Sequence, residues 1–338
     1  MIEFLSRLAR GQGLSEAEAS RAMELIMRGE ATPSQIAGLI MGLRVKGESA
    51  EEIAGLARAA RALATPIQIP DPGSLLDVVG TGGDGSRSFN ISTLSAIVAA
   101  ACGARVAKHG NRAASSACGS ADVLEQLGVR IDLAPEGVAS CIREVGIGFL
   151  FAPRFHPSFR FAALPRRELG VRTVFNLLGP LCNPAGAGRY ALGVPEPGLA
   201  PLMAEVLVRL GAQRVLVFGA DGLDELSTAG PSLVIEVLDG RRREYRLDPA
   251  ELGLRRASLA ELRGGSPAEN AAIARAVLGG ERGPRRDVVL LNASAALRAA
   301  GLAEDWREGL ALAAGAVDGG RAAEVLERWS CHSQAVEP

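Results

Sequence analysis

The sequence predicts an α/β protein in which a small N-terminal helical domain precedes a large domain built on a mostly parallel central sheet. Three observations carry that prediction. Residues 1–66 show only helical periodicity, prolines at 66, 70 and 72 mark a stiff linker, and beyond it short apolar runs alternate with helical stretches in the rhythm of strand–helix–strand units. Composition agrees. Of 338 residues, 48% are apolar and 22% charged, as in an ordinary folded protein, and aromatic residues reach only 4% against 41 glycines, which disfavours a β-sandwich.

Helix starts are written into the first domain. Ser15 with Glu18, Thr32 with Gln35 and Ser49 with Glu52 all have capping-box spacing, and Pro33 stands at the first helical position behind Thr32. Behind these starts Leu25 and Ile26, then Ile36, Leu39, Ile40 and Leu43, then Ile53, Leu56, Ala60 and Leu63 recur at helical spacing, with Gly29 and Gly47 as C-terminal caps. About four short helices carry more apolar face than they can hide among themselves, so a homodimer through this region is expected. Helices from about 157 to 180 are expected to join this domain, and the α/β domain to span 73–330.

In that larger domain the strands are expected at 75–79, 105–107, 129–131, 147–151, 191–194 and 215–218, with helices at 93–102, 121–127 and 199–210 between them. Runs at 234–238 and 243–247 flank Asp239 and Gly240, the signature of a two-residue hairpin, and predict an antiparallel edge. From Pro267 onward the pattern is helical. The tail 329–338 is expected to fray.

Charge narrows the partners. Lys and Arg total 37 against 38 Asp and Glu, a formal net charge of −1, so no global basic field awaits a nucleic acid or a lipid surface, and a small-molecule ligand is expected. The five cysteines are scattered without a C-x-x-C pair, which suggests neither a disulfide framework nor a zinc site but small buried residues in a reducing compartment. No run of about 18 apolar residues occurs, and no secretory apolar segment opens the chain. A cytoplasmic, soluble protein is expected.

Three segments carry chemistry. GTGGD at 80–84 followed by NIST at 90–93 places a strand end, close-approach glycines and a hydroxyl-rich helix start at one point, an anion site. It matches neither G-x-G-x-x-G nor the P-loop, and a plain glycine turn with a Ser/Asn cap accounts for the same residues. KHGNR at 108–112 leads through Ser115, Ser116 and Ser120 into another helix, a second loop of donors and cations, with a solvated basic loop as its bland alternative. The chain holds only two lysines, Lys46 and Lys108, which singles out the ammonium at 108. Asp224 and Glu225, just beyond a buried strand, suit a magnesium ion that also takes phosphate oxygens and water, unless they form only an exposed acidic turn.

Together, GTGGD (80–84), NIST (90–93), KHGNR (108–112), GSADVL (119–124), RRELGVRTVFNLLGP (166–180) and the acidic pair at 224–225 resemble the anthranilate phosphoribosyltransferase family, and the resemblance extends over nearly the whole chain, including DVVLLN at 287–292. It implies a nucleoside phosphorylase-like fold, a homodimer, and transfer of the phosphoribosyl group of 5-phosphoribosyl diphosphate (PRPP) to anthranilate in tryptophan biosynthesis, releasing pyrophosphate. By the same resemblance, PRPP contacts fall on Gly80, Gly83, Asp84, Ser88, Asn90, Ile91, Ser92, Thr93, Lys108, His109, Gly110, Asn111, Arg112, Ala113, Ala114, Ser115, Ser116 and Ser120. Anthranilate contacts fall on Gly80, Asn111 and Arg166, and Mg2+ ligands on Ser92, Asp224 and Glu225. A guanidinium at 166 suits the carboxylate of the aromatic substrate.

Two positions depart from the family pattern. Ser88 stands where threonine is common, and Ala117 with Cys118 replaces a more polar pair, weakening one phosphate contact. No nucleophile–base arrangement is evident among three histidines, so no covalent intermediate is expected, and His109 is expected at most to orient a partner. A pyrimidine nucleoside phosphorylase of the same fold is opposed by the 80–84 loop and the block around Arg166. A nucleic-acid-binding relative is opposed by the near-neutral charge.

Overall fold

The computed structural model describes residues 1–113, 117–220 and 222–337. Helices α1 (Ile2–Leu8), α2 (Glu16–Met27), α3 (Pro33–Lys46) and α4 (Ala50–Ala62) come first, and the three expected capping boxes all form. Each satisfies two backbone donors at a helix start, an effect of ~1 kcal/mol per cap. The Glu52 carboxylate is fully buried and does more than cap α4. It accepts from Ser49 N–H (2.9 Å), Ser49 Oγ (3.1 Å), Leu14 N–H (2.9 Å) and Lys46 Nζ (2.8 Å). Burial alone would raise its pKa, but these donors outweigh it and hold the group below the ordinary glutamate value.

The second part runs β1 (Leu76–Gly80), α5 (Ile91–Ala101), β2 (Val106–Gly110), α6 (Ser120–Gln126), α7 (Pro135–Val145), β3 (Ile147–Phe151), α8 (Ala152–Phe155), α9 (Arg160–Leu169), α10 (Val174–Leu181), β4 (Arg189–Gly193), α11 (Ala200–Arg209), β5 (Arg214–Gly219), β6 (Ser232–Leu238) and β7 (Arg241–Leu247). It closes with α12 (Pro267–Leu278), α13 (Pro284–Ala300), α14 (Trp306–Asp318) and α15 (Arg321–Ala335). After β3 the chain returns to the helical bundle, where α9 packs on α3 and α10 on α4. Helix α13 lies along β1, β4 and β5 beside α5, and its apolar run from Val288 to Leu291 is buried there.

One sheet has the order β3-β2-β1-β4-β5-β6-β7, parallel through β5 and antiparallel from there. The β6–β7 turn is Asp239–Gly240, both with positive φ (51° and 76°), as a two-residue hairpin requires. Strand β7 opens with three exposed arginines, which keep this edge from pairing with another chain. From β1 the chain moves outward to β2 and β3, then returns to β4 on the other side. The β1–β4 boundary is therefore a topological switch point, where ligands of open α/β sheets bind beyond the carboxyl ends of the strands.

Two expectations are corrected. Residues 129–131 form no strand, although Val129 and Ile131 are buried: Val129 N–H bonds back to Leu124 O, Arg130 N–H goes to Ser333 Oγ (2.9 Å), and β2 already has β1 and β3 as neighbours. Nor does the tail fray through most of its length. Val325, Leu326, Trp329 and Ser333 form one helical face of α15, Trp329 is 1% exposed, and Gln334 donates to Gly128 O (3.0 Å). Cys118, Cys141 and Cys182 are buried as expected, whereas Cys331 is exposed. Among the described residues no helix is long and apolar enough to cross a membrane.

Candidate active site

At the switch point β1 and β4 end in paired glycines, Gly80 and Gly193. A Cβ at either would run into Asp224, at its carboxylate or its carbonyl, so the acidic segment after β5 can lie across both strand ends only because they are glycine. Around this crossing opens a cavity of about 880 Å³. On its wall lie Gly80, Gly83, Asp84, Ser88, Asn90, Ile91, Ser92 and Thr93 from the loop after β1 and the start of α5. Lys108, His109, Gly110, Asn111, Arg112, Ala113 and Ser120 come from the end of β2 and the loop after it, Arg166 from α9, and Asp224 and Glu225 from beyond β5. All sequence-expected site residues that are described thus share one cavity; Ala114, Ser115 and Ser116 lie outside the described residues.

The phosphate-type loops hold each other in place. Gly82 N–H donates to Asp224 Oδ2 (2.7 Å), and Ser92 N–H, in the first turn of α5, donates to Glu225 Oε1 (2.9 Å). Asn90 precedes α5 without capping it: its Nδ2 donates to Cys118 O (3.3 Å) and its Oδ1 accepts from Asn270 Nδ2 (3.0 Å), tying the first loop to the second and to α12. Asp122 takes the N–H groups of Ala113 and Gly119 (3.0 and 2.9 Å) and shapes the second loop. Arg112, expected among the PRPP contacts, is paired with Asp122 and Glu125 at 3.0 and 2.5 Å.

Charge beneath the loops is out of balance. Asp224 and Glu225 are raised well above ordinary carboxylates by burial, Asp224 also by Asp84 and Glu225 also by Asp224. Asp77, in mid-strand, is raised to about 6 by burial against the donors Asn183 Nδ2 (2.8 Å) and His109 N–H (3.1 Å). Lys108, 2% exposed, is the buried cation among them, and burial lowers its own pKa; it donates to Val78 O (2.6 Å) and reaches Ser92 Oγ at 3.5 Å. Two hard, mutually repelling carboxylates, Glu225 buried and Asp224 partly so, near Ser92 fit a divalent cation with oxygen ligands. Among the described residues no three His, Cys, Asp or Glu side chains gather closely enough to form a metal cage by themselves. This donor set suits Mg2+, which completes its shell with phosphate oxygens and water.

Aromatic side chains line the same cavity. His109 and His156 stand 5.3 Å apart, His156 meets Phe159 at 5.4 Å, and Phe159 meets Phe175 edge-on at 6.0 Å. The Arg166 guanidinium lies 5.4 Å over the Phe175 ring, half-buried, with no hydrogen bond or ion pair to any described residue. Burial lowers its pKa, yet a guanidinium stays charged, so the cavity holds an unanswered cation. His109 Nδ1 lies 3.1 Å from Gly179 O, which makes Nδ1 the protonated nitrogen and leaves the buried Nε2 without a partner. Burial first, then His156, lowers its pKa to about 3, so the ring is neutral. The Thr93 hydroxyl is likewise buried on the wall without a partner.

The sequence reading assigned no site role to Asp77, His156, Phe159, Phe175 or Asn183. Asp77 alone left a signal, a carboxylate inside an otherwise apolar strand. The others sit in ordinary local contexts and reach the site only through tertiary folding.

Comparison with known proteins completes the assignment. The family model described as "Glycosyl transferase family, a/b domain" matches residues 72–323, and its helical bundle domain matches 2–64. Anthranilate phosphoribosyltransferase 2 of Streptomyces coelicolor is 63% identical over 318 residues, covering 94% of this chain and 95% of that one. Among solved structures, anthranilate phosphoribosyltransferase from Thermus thermophilus superposes with a TM-score of 0.93 at 51% identity, covering 98% and 99% of the two chains. The Saccharomyces cerevisiae enzyme in complex with PRPP and Mg superposes with a TM-score of 0.91 at 28% identity, covering 99% and 98%. The chain belongs to the anthranilate phosphoribosyltransferases of this glycosyl transferase family.

Proposed function

We propose that the cavity binds PRPP on its loop side and anthranilate on its aromatic side, and that the chain joins them to N-(5-phosphoribosyl)anthranilate and pyrophosphate. The observation that carries this reading is the meeting, in one cavity, of two anion-binding loops and a guanidinium that pairs with no described residue and lies over an aromatic ring. PRPP needs the first; an aromatic carboxylate needs the second.

In this reading the loop N–H groups after Gly80, the start of α5, Asn90, Lys108 and Ser120 hold the diphosphate and ribose phosphate. Ser92, Asp224 and Glu225 hold Mg2+, which when bound supplies positive charge against the diphosphate as it leaves. Arg166 pairs with the anthranilate carboxylate, Gly80 and Asn111 border the same substrate, and the rings of Phe159 and Phe175 flank it. His109 Nε2 accepts from the amine and orients its lone pair toward the anomeric carbon. With a pKa of about 3 the ring holds only its Nδ1 proton near neutrality and Nε2 stays a bare acceptor, so His109 positions the amine, whose proton leaves after attack.

Displacement at the anomeric carbon passes through an oxocarbenium-like state. The protein's part is therefore to stabilise the departing charge and align the amine, without a covalent intermediate. A homodimer through the helical bundle belongs to the same reading, supported by Ile2 and Val45, which are 73% and 82% exposed on α1 and α3. The test of the function is direct: purified protein with PRPP, Mg2+ and anthranilate should extinguish anthranilate fluorescence with stoichiometric pyrophosphate release. Retained fluorescence with all three present refutes it.

A further inference from the structure

The loop after β1 carries consecutive left-handed residues, Gly82 and Gly83 at φ 71° and 72°, an arrangement that leaves their carbonyls unclaimed by regular structure. On one side Gly82 N–H is held by Asp224. On the other lies Arg172, which the 166–180 block contains without any site role and which does not line the cavity. Arg172 Nη1 donates to Gly83 O at 2.8 Å, and Nη2 approaches Gly82 O at 3.4 Å, so one planar guanidinium spans two successive carbonyls. The seat is close: a Cβ on Gly83 would stand 3.0 Å from Arg172 Nη1.

The base of Arg172 is itself fixed. Gly170, at φ 64°, ends α9, and Thr173 opens α10 with a capping box in which Asn176 Oδ1 accepts Thr173 N–H at 2.9 Å. Arg172 lies between these two anchors, on the segment that also delivers Arg166 to the cavity.

We infer that Arg172 is a positioning residue for PRPP, clamping the Gly82–Gly83 carbonyls so that the loop's N–H groups are arranged before the diphosphate arrives. The inference rests on the reading that this loop receives PRPP. Guanidinium geometry is the active property: a lysine at 172 keeps the charge but cannot span both carbonyls.

Arg172→Ala and Arg172→Lys, both compared with the parent protein, test it. Amide hydrogen exchange of the peptide over 80–86, measured without substrates, should speed up roughly tenfold in the alanine variant, with the rest of the chain and the melting temperature unchanged. The KM for PRPP should rise roughly tenfold, while kcat and the KM for anthranilate stay within about twofold, since a charge-assisted pair of hydrogen bonds is lost only at the loop. The lysine variant should behave like alanine in both measurements. Full rescue by lysine overturns the inference, because charge alone then suffices. Unchanged exchange, or equal KM changes for both substrates, overturns it as well. If the parent protein does not turn over PRPP at all, the substrate reading has failed, whereas the exchange measurement still reports whether Arg172 orders the loop.

Discussion

The chain's two lysines stand in two settings that look alike and behave differently. Lys46 meets the buried Glu52 in the helical bundle, at 2.8 Å, and the carboxylate has three further donors, so its pKa falls below the ordinary value. Lys108 sits at the switch point among Asp77, Asp224 and Glu225, forms no ion pair within 4.0 Å of a described carboxylate, and all three acids are pushed up by burial. The bundle neutralises its buried charge internally. At the strand ends negative charge exceeds what the protein itself answers, and such imbalance costs stability unless a bound cation completes it. The contrast separates a structural ion pair from a site whose charge suits a bound cation.

The largest expected effect breaks the second setting. Asp224→Asn with Glu225→Gln keeps size and hydrogen-bonding capacity but removes both negative charges. Turnover should fall by about 10²–10³-fold or more, in line with loss of transition-state charge stabilisation. The melting temperature should hold or rise, because two repelling acids, one buried and one partly so, are gone. Steady-state rates over a magnesium titration, with thermal melts alongside, decide it; near-parental turnover with the parental magnesium dependence would make the pair a mere acidic turn.

Next in size is Arg166→Ala. A carboxylate left unpaired in a half-buried site costs ~1.5–3 kcal/mol, which is roughly 10- to 100-fold in the KM for anthranilate. The KM for PRPP should move little, since Arg166 lies over the Phe175 ring and makes no hydrogen bond or ion pair to a described loop residue. Equal shifts for both substrates would remove Arg166 from that role.

Much of this arrangement was legible in the residues themselves. Capping boxes at Ser15, Thr32 and Ser49, the Asp239–Gly240 turn and the glycine loop after β1 are local devices, in which a few neighbouring residues determine the backbone. Local rules failed where the decisive partner is far away in sequence. Val129 and Ile131 carry strand-like alternation but are buried against α15, whose Ser333 takes the Arg130 N–H. Trp329 looked like part of a frayed end because its burial depends on the α/β core that α15 docks against. The same holds in the site: the 80–84 and 108–112 loops announce themselves, but the donation of Arg172 to Gly83 spans 89 residues and Asn183 reaches Asp77 across 106.

A third prediction concerns His156, a buried histidine in the cavity's aromatic lining. His156 Nε2 lies 2.7 Å from Cys182 O, and burial above all lowers its pKa to about 4. A histidine depressed in the folded state gains protons more readily when unfolded, so its contribution is intact above the unfolded value of about 6.5 and is lost as pH falls below it. One pH unit below that value the loss is ~1.4 kcal/mol. His156→Gln retains a donor for Cys182 O but cannot titrate. The difference between the variant and the parent, in denaturant midpoints at pH 7.5 and 5.5, should show this loss removed; identical pH dependence in the two proteins would mean His156 is protonated in the folded state after all.

The smallest effect returns to the bundle and sharpens the contrast between the lysines. Lys46→Met keeps the apolar stem of the side chain and deletes the ammonium. Glu52 retains the N–H groups of Ser49 and Leu14 and the Ser49 hydroxyl, so the cost should be only ~1 kcal/mol in denaturant unfolding. The pH dependence should change in a defined direction. In the parent the folded-state pKa of Glu52 lies below 4.5, so its stabilisation is in place above that pH and lost as the pH falls through the folded value. Without Lys46 the depression shrinks, and the variant should lose less stability than the parent on acidification below pH 4.5. Turnover per folded molecule should not move. A large fall in activity at unchanged stability would show that the bundle's lysine, like that at the strand ends, serves the reaction, and the distinction between the two settings would collapse.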